Sequence, residues 1–126
     1  MKIFNQTKEW QEKVDFVDEN NVVLGWDLSQ SCCEETGWGI IDPSIKKGNG
    51  KSRAFIHSGK SSGVIDLPGW VFDPNHRKLI SDSTMEFKIE KEGRYMLIHI
   101  WNVHEGYYAH GFTFERNGEI IEKGRI

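Results

Sequence analysis

Two adjacent cysteines, five histidines and a lysine-bearing glycine loop are the groups in this sequence that could do chemistry. Cys32 and Cys33 stand in "DLSQSCCEETGW", residues 27–38. A thiolate nucleophile there would need a histidine to activate it, with Asp27 or Glu34 orienting the imidazole. Neighbouring residues of an extended chain point to opposite faces, so both thiols would reach one metal ion only at a sharp turn. A disulfide between neighbours closes a strained ring, and a reducing cytosol disfavours it further. The acidic neighbours Glu34 and Glu35 oppose a thiolate. The simplest expectation has one thiol buried as a small apolar group and the other facing a loop or the surface.

The histidines show no pair at ligand spacing on one element, so neither a metal nor a cofactor is expected. His57 and His76 read as loop residues and His104 as a turn residue. His99 falls on a strand face with Trp101, where Glu86 would face it, and His110 points toward the apolar side. A hydrogen bond to a neighbour is the expected role for His99, with proton transfer as the alternative. "AFIHSGKS", residues 54–61, fits a permissive phosphate-loop pattern with Ala54 in the first glycine's place. That loop must open a helix, and Gly63, the β-branched run and Pro68 that follow oppose one. "GNGKS" has Ile45 where its first glycine belongs. Neither a "GxSxG" elbow nor an "HExxH" pair occurs, so nothing points firmly to an enzyme.

The elements that must carry these groups are mostly strands. At 126 residues, with 37% hydrophobic and 28% charged content, the chain suits one β-rich domain over residues 1–126. Five Trp, seven Phe and three Tyr supply core-sized groups. The first residues lack a signal-like apolar stretch and no run suits a membrane span, so a cytoplasmic protein is expected. Residues 1–36 carry eight acids and three bases, whereas residues 43–65 carry Lys46, Lys47, Lys51, Arg53 and Lys60 and no acid. The basic stretch could attract an anion or an acidic partner, or could be a solvated loop.

From Thr84 onward, apolar and polar residues alternate between turn residues, the pattern of an antiparallel meander. Asn117-Gly118 suits a type I′ turn that would pair Phe114 with Ile121. Around Glu92-Gly93, the register that keeps apolar residues together pairs Ile89 with Met96 and Phe87 with Ile98. A turn at 104–106 would set Ile98 opposite Phe112, Ile100 opposite His110 and Trp101 opposite Ala109. Phe87, Ile89, Met96, Ile98, Phe112, Phe114 and Ile121 would then share a core face. Leu97, His99 and Trp101 make the strand over 94–103 apolar on both sides, hence central. The N-terminal half would cover that second face, through a hairpin turning near Asn20-Asn21 and shorter strands in "WGII" and "SGVIDLPGWVF". Residues 5–13 could form one or two helical turns, and residues 43–53 and 57–63 read as loops. The expected fold is mainly β, a two-layer antiparallel sheet or a small partly closed barrel with a C-terminal meander.

The blocks "LSQSCCEETGW" (28–38) and "GYYAHGFTFE" (106–115), the latter after an apolar strand ending in Trp101, carry a resemblance. Gln30, Ser31, Cys32, Cys33 and Glu34, with Trp101, Gly106, Tyr107 and Tyr108, resemble the "QSCCE" and "GYY" blocks of a family of small uncharacterised β-rich phage and bacterial proteins. Residues 43–80 do not take part. The resemblance implies a compact β domain in a phage or mobile-element setting and transfers no catalytic residue. It also implies that the two blocks meet as one surface, with Tyr107, Tyr108, Trp38 and Trp101 as amphipathic walls.

Three readings follow from these residues. The first is a non-enzymatic binding module for a protein partner, such as a phage accessory or immunity-type inhibitor. The second is sequestration of a small anionic or nucleotide ligand by Lys46, Lys51, Arg53 and Lys60 together with aromatic rings. The third is a cysteine-dependent enzyme. The candidate binding residues are Cys32, Cys33, Glu34, Trp38, Lys51, Arg53, Lys60, Trp101, Tyr107 and Tyr108. Neither a membrane nor a nucleic acid is the expected partner.

Overall fold

Period-two alternation governs nearly every described segment, and each such segment is a strand. The computed structural model describes residues 1–8, 11–29, 35–45, 55–58, 63–103 and 109–126. In chain order the strands are β1 (Lys2–Lys8), β2 (Gln11–Val17), β3 (Val22–Asp27), β4 (Glu35–Ile41), β5 (Phe55–Ser58), β6 (Gly63–Asp66), β7 (Val71–Ser81), β8 (Thr84–Lys91), β9 (Arg94–Val103), β10 (Gly111–Arg116) and β11 (Glu119–Arg125). They form two antiparallel sheets, a six-stranded one in the order β11-β10-β3-β2-β1-β6 and a five-stranded one in the order β5-β4-β9-β8-β7. The two-layer expectation holds, and the layers are separate sheets rather than a closed barrel. Among the described residues no helix is long and apolar enough to cross a membrane.

The core lies between the layers. Ile3, Val14, Phe16, Leu24, Trp26, Phe112 and Phe114 face inward from the six-stranded sheet, and Trp38, Ile40, Phe87, Ile89, Ile98 and Ile100 from the five-stranded one. Edge-to-face contacts join them: Phe16 meets Trp38 at 5.3 Å between ring centroids, and Phe72 meets Phe114 at 5.1 Å. Hydrogen bonds of two buried polar side chains, Trp26 and Asp18, also join the layers. The Trp26 Nε1–H donates to the Gly37 carbonyl at 3.0 Å, and Asp18 accepts Val22 N–H at Oδ1 and Phe72 N–H at Oδ2, at 2.9 and 2.8 Å.

Several local expectations hold. The β2–β3 hairpin turns with Asn21 at φ 59°, and Ile89 pairs with Met96 and Phe87 with Ile98. Strand β9 is central, between β4 and β8.

Others are corrected. Residues 5–13 form no helical turn in their described part: β1 and β2 pair there, Asn5 opposite Val14 and Gln6 opposite Lys13. The Asn117-Gly118 turn forms, but a bulge between Phe114 and Glu115 leaves Ile121 as the extra residue and places Phe114 opposite Glu122. The meander ends at β9. Strand β10 joins β3 in the other sheet, with Phe112 opposite Trp26, so the pairings of Ile98, Ile100 and Trp101 with Phe112, His110 and Ala109 do not exist. Phe87 still meets Phe112 and Phe114, from the facing sheet. The N-terminal strands therefore pack on the inner face of the five-stranded sheet and leave Leu97, His99 and Trp101 on its outer face. His57 and Ser58 belong to β5, Gly63 opens β6 and His76 belongs to β7, where loops were expected.

Candidate functional site

The outer face of the six-stranded sheet carries an open groove of about 850 Å³. It exists because the same alternation that sends Phe16, Leu24 and Phe114 inward sends their neighbours outward. Three rows cross it. Val17, Val23 and Glu115 lie opposite one another on β2, β3 and β10; Phe4, Asp15, Gly25 and Thr113 form the middle row on β1, β2, β3 and β10; Gln6, Lys13 and Asp27 form the third on β1, β2 and β3. The wall is mixed. Phe4, Val17 and Val23 give apolar surface, whereas Lys13, Asp15, Asp27 and Glu115 give charged groups. Lys13 Nζ lies 3.3 Å from Asp15 Oδ2, and Lys2, opposite Val17, and Lys123, opposite Thr113, extend the same rows, so the face carries charges of both signs.

A second polar group sits on the outer face of the five-stranded sheet. Register puts Glu86 opposite His99, and His99 Nε2–H donates to Glu86 Oε1 at 3.0 Å. His76 Nε2–H donates to Oε2 at 2.8 Å. Burial raises the pKa of the Glu86 carboxyl, but the hydrogen bonds and charge of the two imidazoles outweigh it and hold the group below its ordinary value of 4.5. His76 reaches this point because β7 bulges between Phe72 and Arg77, around Pro74. Beside it, Trp101 and Phe55 stack at 5.1 Å and 20°. Both rings lie over bare backbone: a Cβ on Gly37 would come within 2.7 Å of the Trp101 ring, and one on Gly39 within 2.2 Å of Phe55.

Of the residues expected to bind, Trp38 and Trp101 are described. They lie on opposite faces of one sheet. Trp38 is buried in the core, its Nε1–H donating to Asn5 Oδ1 at 3.2 Å, and so packs the interior instead of walling a surface. Trp101 is half-buried on the outer face. Cys32, Cys33, Glu34, Lys51, Arg53, Lys60, Tyr107 and Tyr108 lie outside the described residues, as do Lys46 and His104. The flanks of the cysteine and "GYY" blocks are adjacent, with Glu35 opposite Val103 and the His110 Nδ1–H donating to the Asp27 carbonyl at 2.7 Å. His110 is thus held by the backbone of Asp27, and the Asp27 side chain accepts Ser29 N–H at 2.9 Å. Among the described residues no group of three or more His, Cys, Asp or Glu is arranged to hold a metal ion.

The groove had no single sequence signal, since its lining comes from four strands. Its one local trace was Gly25, a glycine inside "VVLGWD" where a strand favours a larger residue. Compared with protein-family models, curated proteins and solved structures, the chain matches none of them.

Proposed function

We propose that this is a cytoplasmic, non-enzymatic binding module that captures a protein partner, in the manner of a phage accessory or immunity-type inhibitor. The observation that carries the reading is the open groove across β1, β2, β3 and β10. Its breadth and its apolar patches suit an extended protein surface, and its charged groups offer that surface complementary contacts. Native mass spectrometry of the protein purified from its host cells tests the reading. Wild type is expected to carry a partner of protein mass, and the double variant Asp27→Lys, Glu115→Lys is expected to run bare. The same partner retained by the variant would move the contact off this face, and a bare wild-type monomer would remove the reading altogether.

One observation favours the second reading, capture of an anionic or nucleotide ligand. Phe55, which belongs to the basic 46–60 segment in the sequence, stacks on Trp101, and such a pair offers a planar ligand an aromatic surface. Titration with ADP, read on the Trp101 indole N–H resonance, separates it from the first: a saturable shift supports it, and an unmoved resonance counts against it.

A further inference from the structure

Charges on the outer face of the six-stranded sheet change sign in a definite order across it. From edge to edge, β6 presents Asp66, β1 Lys2, β2 Lys13, β3 Asp27, β10 Glu115 and β11 Lys123. The signs run minus, plus, plus, minus, minus, plus. In reverse order they are plus, minus, minus, plus, plus, minus, the opposite sign at every strand. Two further charged groups fit the same order. Arg125 adds a second base to β11, and Asp15, already paired with Lys13, lies level with Gly25 of β3, which presents no side chain. Among the described residues Lys2, with Asp66 beside it, and Glu115 form no ion pair within the chain.

A face with that order of signs is complementary to itself. A two-fold axis in the plane of contact, running along the strands between β2 and β3, sets β1 of one copy over β10 of the other, β2 over β3 and β6 over β11. Lys2 then comes over Glu115 of the second copy, and Lys13 over Asp27. Asp15 comes over Gly25, where no side chain opposes it, and Val17 over Val23 gives the contact an apolar centre. Sheets packed face to face lie about 10 Å apart, a gap that a lysine and a carboxylate side chain span between them. A two-fold running across the strands at the level of Gly25 would instead set Asp15 over Asp15, like charge on like. We infer that, before any other partner is captured, this face is covered by a second copy of the chain, packed face to face as a symmetric dimer. The inference goes beyond the binding-module reading, since a captured protein would have to displace the second copy.

The test is sedimentation velocity of the purified chain alone, over concentrations up to about 1 mM, where even a weak dimer is populated. Wild type is expected to pass from monomer to dimer. Lys2→Glu and Glu115→Lys each set like charges against one another twice across the two-fold, and each is expected to weaken the dimer at least tenfold. Mixing the two variants in equal amounts restores an opposite-charge pair at both places, so the mixture is expected to dimerise as wild type does. Lys2 and Glu115 stand on strands separated by β2 and β3, so a rescue on mixing cannot come from a pair within one chain. Thermal melts check that both variants keep the fold. A wild-type chain that stays monomeric throughout would overturn the inference. So would a dimer that ignores both reversals, or one that mixing does not restore, because either would place the contact elsewhere. A different protein found on a chain that is monomeric by itself would also overturn it, while leaving the binding-module reading in place.

Discussion

At Glu86 one carboxylate serves two imidazoles that arrive from different strands, His99 from β9 and His76 from the bulge of β7. Removing it leaves two half-buried ring N–H groups without their acceptor. Glu86→Ala is therefore expected to cost about 1–3 kcal/mol, measured by urea unfolding at neutral pH. The pH dependence has a definite sign. The folded pKa of Glu86 lies below its ordinary value of 4.5, so the stabilisation is complete above that value and is lost as pH falls through the folded pKa. Thermal melts from neutral to strongly acidic pH should show wild type losing stability faster than Glu86→Gln below 4.5. Parallel curves would show that the carboxylate charge contributes nothing. The Glu86–His99 contact was legible in the sequence, because Glu92-Gly93 fixes the register and register fixes who faces whom. His76 was not, because a bulge around Pro74 shifts its neighbours by an amount that alternation does not encode.

Among the elements, turns carry the long-range information. Asp18 caps the β2–β3 turn by accepting Asn20 and Val22 N–H, and its second oxygen accepts Phe72 N–H at the start of β7 in the other sheet. Asp18→Ala would strand buried donors on both sheets and is expected to cost about 3 kcal/mol in the same unfolding measurement. A loss within about 0.5 kcal/mol, as for an ordinary surface substitution, would show that the tie is not structural. The glycines of β4 act by leaving room. Gly39→Val would drive a side chain into the Phe55 ring, so β5 is expected to detach at its edge, seen as faster amide exchange at Ile56 and His57 while β8 and β9 stay protected. The β2–β3, β8–β9 and β10–β11 hairpins could be read from turn residues and alternation. The pairing of β10 with β3 could not, because alternation says which face is apolar and not which sheet a strand joins. Both arrangements bury Phe112 and Phe114.

The whole molecule presents two unlike outer faces. One is an open groove of mixed charge with a bare glycine at its centre; the other holds an imidazole–carboxylate group beside stacked aromatic rings. The net charge of −3 hides this division, and the sequence could not show the groove, since Phe4, Asp15, Gly25 and Thr113 become neighbours only once four strands are ordered. Electrostatic capture by that groove is expected to weaken with salt, with association slowing more than dissociation quickens between low and physiological ionic strength. Surface plasmon resonance on the purified complex reads both rates, and a salt-independent association rate would contradict an electrostatic groove.

Site-specific photo-crosslinking in host cells tests the binding face most directly. A photoreactive residue replacing Thr113, in the groove, is expected to form an adduct with a second protein, whereas the same residue replacing Thr84, on the outer face of the other sheet, is expected to form none. An adduct at Thr84 alone, or at neither position, would contradict capture of a partner by this groove.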